Sequence, residues 1–419
     1  MNASRTTATL ARALAACALL SVLLSAGTAP AARAAPSRGS CAPDGRQASG
    51  AVYRICMPAQ QAWNGSLIVY AHGYVPFNAP VVIPEDQLAL PGGPSLADIA
   101  TGLGFAFATT SYSTNGLAVR QAVEDLVDLV HIFRRDYGEP RHVYLAGVSE
   151  GGLITALAVE KHPEVFSGGL AACGPVGGLD AQISYLGDAR LLFDHYFPGV
   201  LPGSPVALPQ EAIDKWEAVY RPRVEAALRA DPGGLKQFVA TARVPVEGLD
   251  GEAQVAAVTN LMWYAVFATG DAAAKLGGQP YDNTSRLYLG SADDAALNRS
   301  LPRYRADPSA QAEVAAHYQT TGRLSAPLVM LHTTGDPLVP YWHELLYDAK
   351  LGPGDARLHA NIPCSGNGHC GFTAAQVLVG LVSLIRRVTG EDVRDAERVL
   401  PGEQARAEYR AQMQAAGLR

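Results

Sequence analysis

The run HVYLAGVSEGGLITALAVEKHP, His142 to Pro163, changes its hydrophobic period part-way along. Its first half, HVYLAGVS over 142–149, is rich in β-branched and aromatic residues and reads as a buried strand. Its second half, GGLITALAVEKHP over 151–163, reads as a helix that Pro163 ends. The junction between them is Gly147-Val148-Ser149-Glu150-Gly151. G-x-S-x-G at such a junction describes a tight turn that holds its serine in a strained backbone conformation, with glycines where a side chain would clash. Ser149 is therefore the first candidate nucleophile.

The same alternation extends outward. SLIVYAHG (66–73) and GFAFATT (104–110) read as strands, and GLAVRQAVEDLVDLVHIFRRDYG (116–138) carries apolar residues at three- and four-residue spacing, as an amphipathic helix does. FSGGLAACGP (166–175) is a further strand. Much later come a strand in APLVMLHTTGD (326–336), a helix in YWHELLYDAKLG (341–352), a weak strand near ARLHANI (356–362) and a final helix after His369. Strands alternating with helices predict an α/β fold with a mostly parallel, doubly wound sheet. Residues 177–322 break the rhythm. They contain helical stretches at 211–230 and 252–270 and no convincing strand, and read as a helical insertion. The expected organisation is thus 1–34, 35–176, 177–322 and 323–419: leader, first core part, insertion, second core part.

The leader follows from the N-terminus. Arg5 and Arg12 precede an apolar run from Ala13 to Gly27, and Ala32-Arg33-Ala34 supplies an A-x-A site. Together these describe a secretory signal peptide. The run is short of the roughly 20 apolar residues a membrane span needs. LAAC, ending at Cys17, has the outline of a lipoprotein processing box, but the apolar segment lies mostly after it. The expected product is a secreted protein, extracellular or periplasmic. A formal charge of −6 gives no electrostatic reason to expect nucleic acid as a partner.

Export bears on the cysteines. Cys41, Cys56, Cys173, Cys364 and Cys370 lie beyond the cleavage site, and an oxidising compartment favours disulfides over thiolate ligands. CSGNGHC, Cys364 to Cys370, has the outline of part of a metal site, since it packs two thiols and His369 into seven residues, but export argues against that reading. The shortest pairing along the chain is Cys41–Cys56 with Cys364–Cys370, which leaves Cys173 alone in a buried strand. No metal or organic cofactor is expected.

In motif and order the chain resembles the α/β-hydrolase superfamily, in which nucleophile, acid and histidine follow one another along the sequence. The resemblance implies Ser149 as nucleophile. Asp336 is implied as the acid, in the loop Gly335 to Pro340 just past a strand, and His369 as the base, in a loop before the last helix. Asp282, Asp293, Asp294 and Asp307 compete with Asp336 by residue type, but lie in the insertion. Among histidines, His359 and His332 lie in strands, His343 on a helix and His72 in an early loop. The resemblance also implies an oxyanion hole made by the backbone N–H groups of Glu150 and of Tyr74, with Gly73 as the alternative to Tyr74. The Glu150 side chain has three open placements: solvent, an arginine, or His369. The insertion would cap the site, with Tyr185, Phe193, Tyr196, Phe197, Trp216, Trp263, Tyr264 and Phe267 as pocket or core aromatics. Function then reads as cleavage of carboxylic esters, small or polymeric, through an acyl-enzyme. A serine exopeptidase, a polyester depolymerase and a hydrolase-like binding protein stand as alternatives, because fold resemblance alone does not identify a substrate.

Overall fold

The computed structural model describes residues 39–59, 62–90 and 93–417. The expected signal peptide, with Cys17, lies outside them. Nine strands form one sheet: β1 (Ser40–Cys41), β2 (Gly45–Arg46), β3 (Val52–Met57), β4 (Ser66–Ala71), β5 (Ala106–Thr110), β6 (His142–Val148), β7 (Gly168–Ala172), β8 (Leu328–Gly335) and β9 (His359–Asn367). The order is β1-β3-β5-β4-β6-β7-β8-β9, with β2 also paired to β3. From β5 to β9 every pairing is parallel, whereas β3 joins β5 antiparallel and carries β1 and β2 antiparallel on its other side.

The sequence reading has no counterpart for β1, β2 and β3. Val52–Met57 lies near one margin of the sheet, is only partly buried and carries Arg54, and so lacks the apolar run that reveals the central strands. The weak strand near 356–362 is in fact β9, which continues through Pro363 and Cys364 to Asn367. It is an edge strand, with neighbours on one side only.

Helices in chain order are α1 (Leu96–Gly102), α2 (Val119–Tyr137), α3 (Glu150–Lys161), α4 (Leu179–Tyr196), α5 (Gln210–Asp214), α6 (Arg221–Ala230), α7 (Pro232–Ala242), α8 (Gly251–Lys275), α9 (Asp294–Ser300), α10 (Pro308–His317), α11 (Trp342–Asp348), α12 (Ala374–Thr389) and α13 (Gly402–Ala415). Those from α4 to α10 lie between β7 and β8. The stretch expected as one helix over 211–230 is α5, a π-helical turn at Trp216–Tyr220 and α6. The helix after His369 is followed by another, α13. Among the described residues no helix is long and apolar enough to cross a membrane.

Three apolar clusters hold these layers. One packs α2 and α3 against one face of the sheet, through residues such as Leu126, Phe133, Leu157, Val69 and Leu145. A second packs α1 and α12 on the opposite face, against Ile68, Phe107, Val329 and Leu331. The third joins α4 to α8 and reaches Leu338 and Val339 in the loop after β8. Each fully buried Leu, Val or Phe contributes roughly 1.5–3 kcal/mol. Helix α3 is buried from Glu150 to Val159. That explains its apolar character all round: it is wedged between sheet and neighbouring helices rather than lying at the surface.

Among the described residues two disulfides are present. Cys41 pairs with Cys56, and Cys173 pairs with Cys370, while Cys364 is a buried free thiol. The expected Cys364–Cys370 bridge is therefore corrected. Cys364 sits inside β9 opposite Thr333 of β8, with its side chain in the sheet–α12 cluster. Cys370 lies past the end of β9 and meets Cys173 just beyond β7. Proximity along the chain misled the reading, because parallel strands bring their C-terminal ends together from distant segments.

Candidate active site

Ser149 sits between β6 and α3 with φ 56° and ψ −121°. This is a left-handed conformation that costs a non-glycine residue of order 1–3 kcal/mol. The turn can be that tight because of its glycines. A Cβ on Gly147 would meet the Gly151 carbonyl oxygen at 2.1 Å, and one on Gly151 would meet that of Ala71 at 2.1 Å. The Ser149 N–H donates to Ala172 O at 2.9 Å and fixes the turn to β7. Tyr112, Cys173 and Cys370 also have positive φ. The last two are the disulfide partners.

Ser149, Asp336 and His369 come together. The Ser149 hydroxyl lies 2.8 Å from His369 Nε2, and His369 Nδ1 lies 2.7 Å from Asp336 Oδ2. Asp336 is fully buried, and its Oδ1 accepts the backbone N–H groups of Leu338 and Val339, each at 2.9 Å. Burial alone would push this carboxyl up. The charge of His369, with contacts from His332 and His369, outweighs burial and holds it well below the usual carboxylate range. The loop bearing Asp336 is tied to α4, through Tyr185 Oη donating to Pro337 O at 2.7 Å and Gln182 Nε2 donating to Leu338 O at 3.0 Å.

The rival residues have other roles. Asp293 caps α9 through the Ala296 N–H, Asp294 accepts from Ser291, Asp282 from Thr284 and Asp307 from Gln279. His359 Nδ1 faces Asp348 at 3.3 Å. His72 donates from Nδ1 to Gly73 O and stacks on Tyr112, its pKa lowered by burial to about 4.

In the early loop the Gly73 N–H is already engaged by Gln87 Oε1 at 2.8 Å, and Gln87 Nε2 also donates to Tyr74 O. Among the described residues, no protein acceptor takes the N–H of Tyr74 or of Glu150. Gln87 was not singled out from the sequence. Glutamine in a polar loop carries no signal of its own, and the bond spans 14 residues.

A chamber of about 100 Å³ opens beside Ser149, lined by Tyr74, Glu150, Leu153, Leu186, Tyr264 and Leu338 among others. Of the eight aromatics weighed from the sequence, Tyr264 alone lines it. The others pack in or against the insertion's own core. The Glu150 carboxyl is in neither solvent nor an arginine pair. It is buried and accepts the Ala118 N–H at 2.9 Å. Burial pushes it up to about 8, and Asp271 adds to this, while the Ala118 N–H and Lys275 oppose it. Asp271 and Lys275 pair at 3.1 Å on α8, and Asp271 also accepts the Leu117 N–H at 2.5 Å.

A cation could in principle use Cys173, His369 and Cys370, whose ligand atoms lie within 4.8 Å of one another. The two sulfurs are bonded to each other, however, and so are not thiolate donors.

The family model for serine aminopeptidases of the S33 type matches residues 115–264, less than half of the chain but including β6, Ser149 and α3. The chain has the α/β-hydrolase fold. Solved structures similar to this hydrolase fold include the acylaminoacyl peptidase of Pyrococcus horikoshii (10% identity, TM-score 0.44, 87% of this chain and 44% of that one). Another is feruloyl esterase B of Aspergillus oryzae (15% identity, TM-score 0.45, 83% and 79%). A third is a rice cell wall degrading esterase of Xanthomonas oryzae (13% identity, TM-score 0.40, 83% and 88%). The chain thus spans less than half the length of the Pyrococcus peptidase. A search of curated proteins gave no match.

Proposed function

We propose that this protein is an exported serine hydrolase that cleaves carboxylic esters carrying a short acyl group. The reading rests on one observation: Ser149 Oγ, His369 and Asp336 form an unbroken hydrogen-bonded relay at 2.8 and 2.7 Å. His369 takes the Ser149 proton as Oγ bonds to the ester carbonyl carbon, while Asp336 orients and stabilises the imidazolium. The N–H groups of Tyr74 and Glu150 stabilise the oxyanion. Collapse of the tetrahedral intermediate breaks the bond to the leaving alcohol, which receives the proton from His369. Water then repeats the sequence on the acyl-enzyme and releases the acid.

The short-acyl preference comes from the chamber. Its walls are mainly aliphatic and its volume is about 100 Å³, less than the ~150 Å³ apolar cavity that holds benzene. The helices between β7 and β8 act as the cap over it. Export follows from the N-terminal signal pattern and is consistent with two disulfides. A serine peptidase is the second reading, favoured by the serine aminopeptidase match over 115–264.

The deciding experiment is a panel of p-nitrophenyl esters of increasing acyl length beside aminoacyl anilides, with Ser149→Ala as control. Turnover of acetyl and propionyl esters, falling steeply with chain length and lost in Ser149→Ala, is expected. Activity confined to the anilides selects the peptidase, and ester activity that survives in Ser149→Ala overturns the mechanism.

A further inference from the structure

Beside Asp336, and near the same carboxylate oxygen that His369 meets, lies a second histidine–carboxylate pair that the relay does not use. His332 on β8 and Glu344 on α11 are both fully buried. His332 Nδ1 lies 2.7 Å from Glu344 Oε1, and its Nε2 lies 2.8 Å from Val339 O and 3.6 Å from Asp336 Oδ2. A carbonyl oxygen only accepts, so Nε2 carries a hydrogen. Nδ1 faces a carboxyl at hydrogen-bonding distance, so a second proton lies between them. The pair therefore holds one proton more than a neutral imidazole beside a carboxylate would. Its Nε2–H edge lies beside Asp336.

We propose that His332, held as an imidazolium by Glu344, is a positioning residue for the hydrolytic relay: it anchors Asp336 as an anion and moderates its pull on the His369 proton. The proposal rests on the Ser149–His369–Asp336 reading above. Asp336 is thus shared between two histidines. His369 exchanges a proton with Ser149 in every cycle, whereas His332 keeps its own. His332 lies four residues before Asp336, where β8 ends, and the backbone N–H groups of Leu338 and Val339 complete the cradle around the carboxylate.

The surroundings favour that proton. Burial opposes it, but Asp336 and Glu344 together raise His332 to about 10. Glu344 is itself raised by burial, opposed by His332, and Asp348 on the same helix adds to the rise. The other polar groups about this cluster do not supply a competing charge. His343 is pushed well below its ordinary value by burial, stays neutral and faces Gln182 of α4. Tyr341 sets its ring edge-on to His332, with its hydroxyl on Asn361 of β9. Tyr185 of α4, raised well above its ordinary value by burial, donates to Pro337 O.

The test pairs a variant with a measurement on the unaltered protein. His332→Gln combined with Glu344→Gln removes both charges without leaving either buried alone. It should fold, lose roughly 10- to 100-fold in kcat/KM as the acid's geometry loosens, and shift the acid limb of the kcat/KM profile up by roughly one pH unit. The sign follows from charge: without the imidazolium, Asp336 attracts the His369 proton more strongly, and a higher pH is needed to free the base. A folded double variant whose limb stays in place overturns the proposal, because a merely structural pair has no reason to move it. Nitrogen NMR of the wild type with labelled imidazoles supplies the readout that needs no variant. One ring should keep both nitrogens protonated through pH 9, and its absence rejects the proposal even if the double variant does not fold. Ser149→Ala leaves that signal in place whatever its activity, so failure of the relay reading is told apart from failure of this one.

Discussion

Ser149 has a buried carboxyl on each side. Toward the chamber stands Glu150, and across His369 stands Asp336. Glu150 has one backbone N–H as partner, mostly aliphatic walls and an anionic neighbour in Asp271, and burial leaves it protonated until about pH 8. Asp336 is at least as buried, yet has two backbone N–H groups and two histidines around it, and stays ionised. Burial alone does not set the charge of a carboxyl. What decides is whether the groups around it replace the water it gave up. The neutral side suits an uncharged acyl group, and the anionic side stabilises an imidazolium.

Changes on the anionic side should cost most. Asp336→Asn keeps the shape but removes the charge and the preference for the correct imidazole tautomer, and kcat should fall by roughly 10³–10⁴-fold. A drop of less than tenfold at saturating substrate would show that the two sides differ little.

The tether beside that relay comes next. Cys173→Ser with Cys370→Ser frees the residue that follows His369, and kcat/KM should fall by roughly 10- to 100-fold, the range for small misplacements of a reacting group. Stability should fall as well, since this bridge closes a separation of 197 residues, worth up to about 5 kcal/mol in the chain-entropy model. Cys364→Ser should leave activity unchanged. Peptide mapping that found Cys364 joined to Cys370 would undo this assignment.

The neutral side should respond least in rate and most clearly in pH. In the proposed mechanism, ionising Glu150 puts a negative charge beside the developing oxyanion, so activity should decline above about pH 8. Glu150→Gln should abolish that decline while changing the plateau by only a few-fold, by analogy with neutral hydrogen-bonding changes of about 1 kcal/mol. Stability provides a second check. The Glu150 pKa is raised in the fold, so the unfolded chain loses the proton first, near 4.5, and stability falls as pH rises from there through about 8. The variant should therefore gain thermal stability over wild type at pH 8 and show no difference at pH 4. Identical differences at both pH values would place the Glu150 carboxyl in water.

Much of the site could be read from residue order. Strand, Gly-x-Ser-x-Gly and helix are contiguous, so local sterics alone define the turn at Ser149, and the apolar runs of β4, β6, β7 and β8 are unmistakable because both faces of those strands are covered. Asp336 and His369 were singled out from their places after late strands, and they lie 2.7 Å apart. Strands toward the two margins of the sheet were harder, since β3 and β9 bury less and their patterns weaken.

Contacts between distant segments were beyond reading. Cys173 meets Cys370 because the parallel strands deliver their C-terminal ends to one rim, while Gln87 supports the loop of Tyr74 and Glu344 meets His332 because a turn and a helix fold back onto the ends of β4 and β8. Charge states were equally out of reach, for a glutamate looks the same in a sequence whether an aliphatic wall or a pair of histidines surrounds it. The sequence by itself determined the α/β alternation and the strained serine turn, because strand period, helix period and glycine sterics act over a few residues. Only the tertiary structure decided which cysteines pair, which carboxyl keeps its charge and how large the chamber is, because those depend on desolvation and distance between groups that the chain order keeps apart.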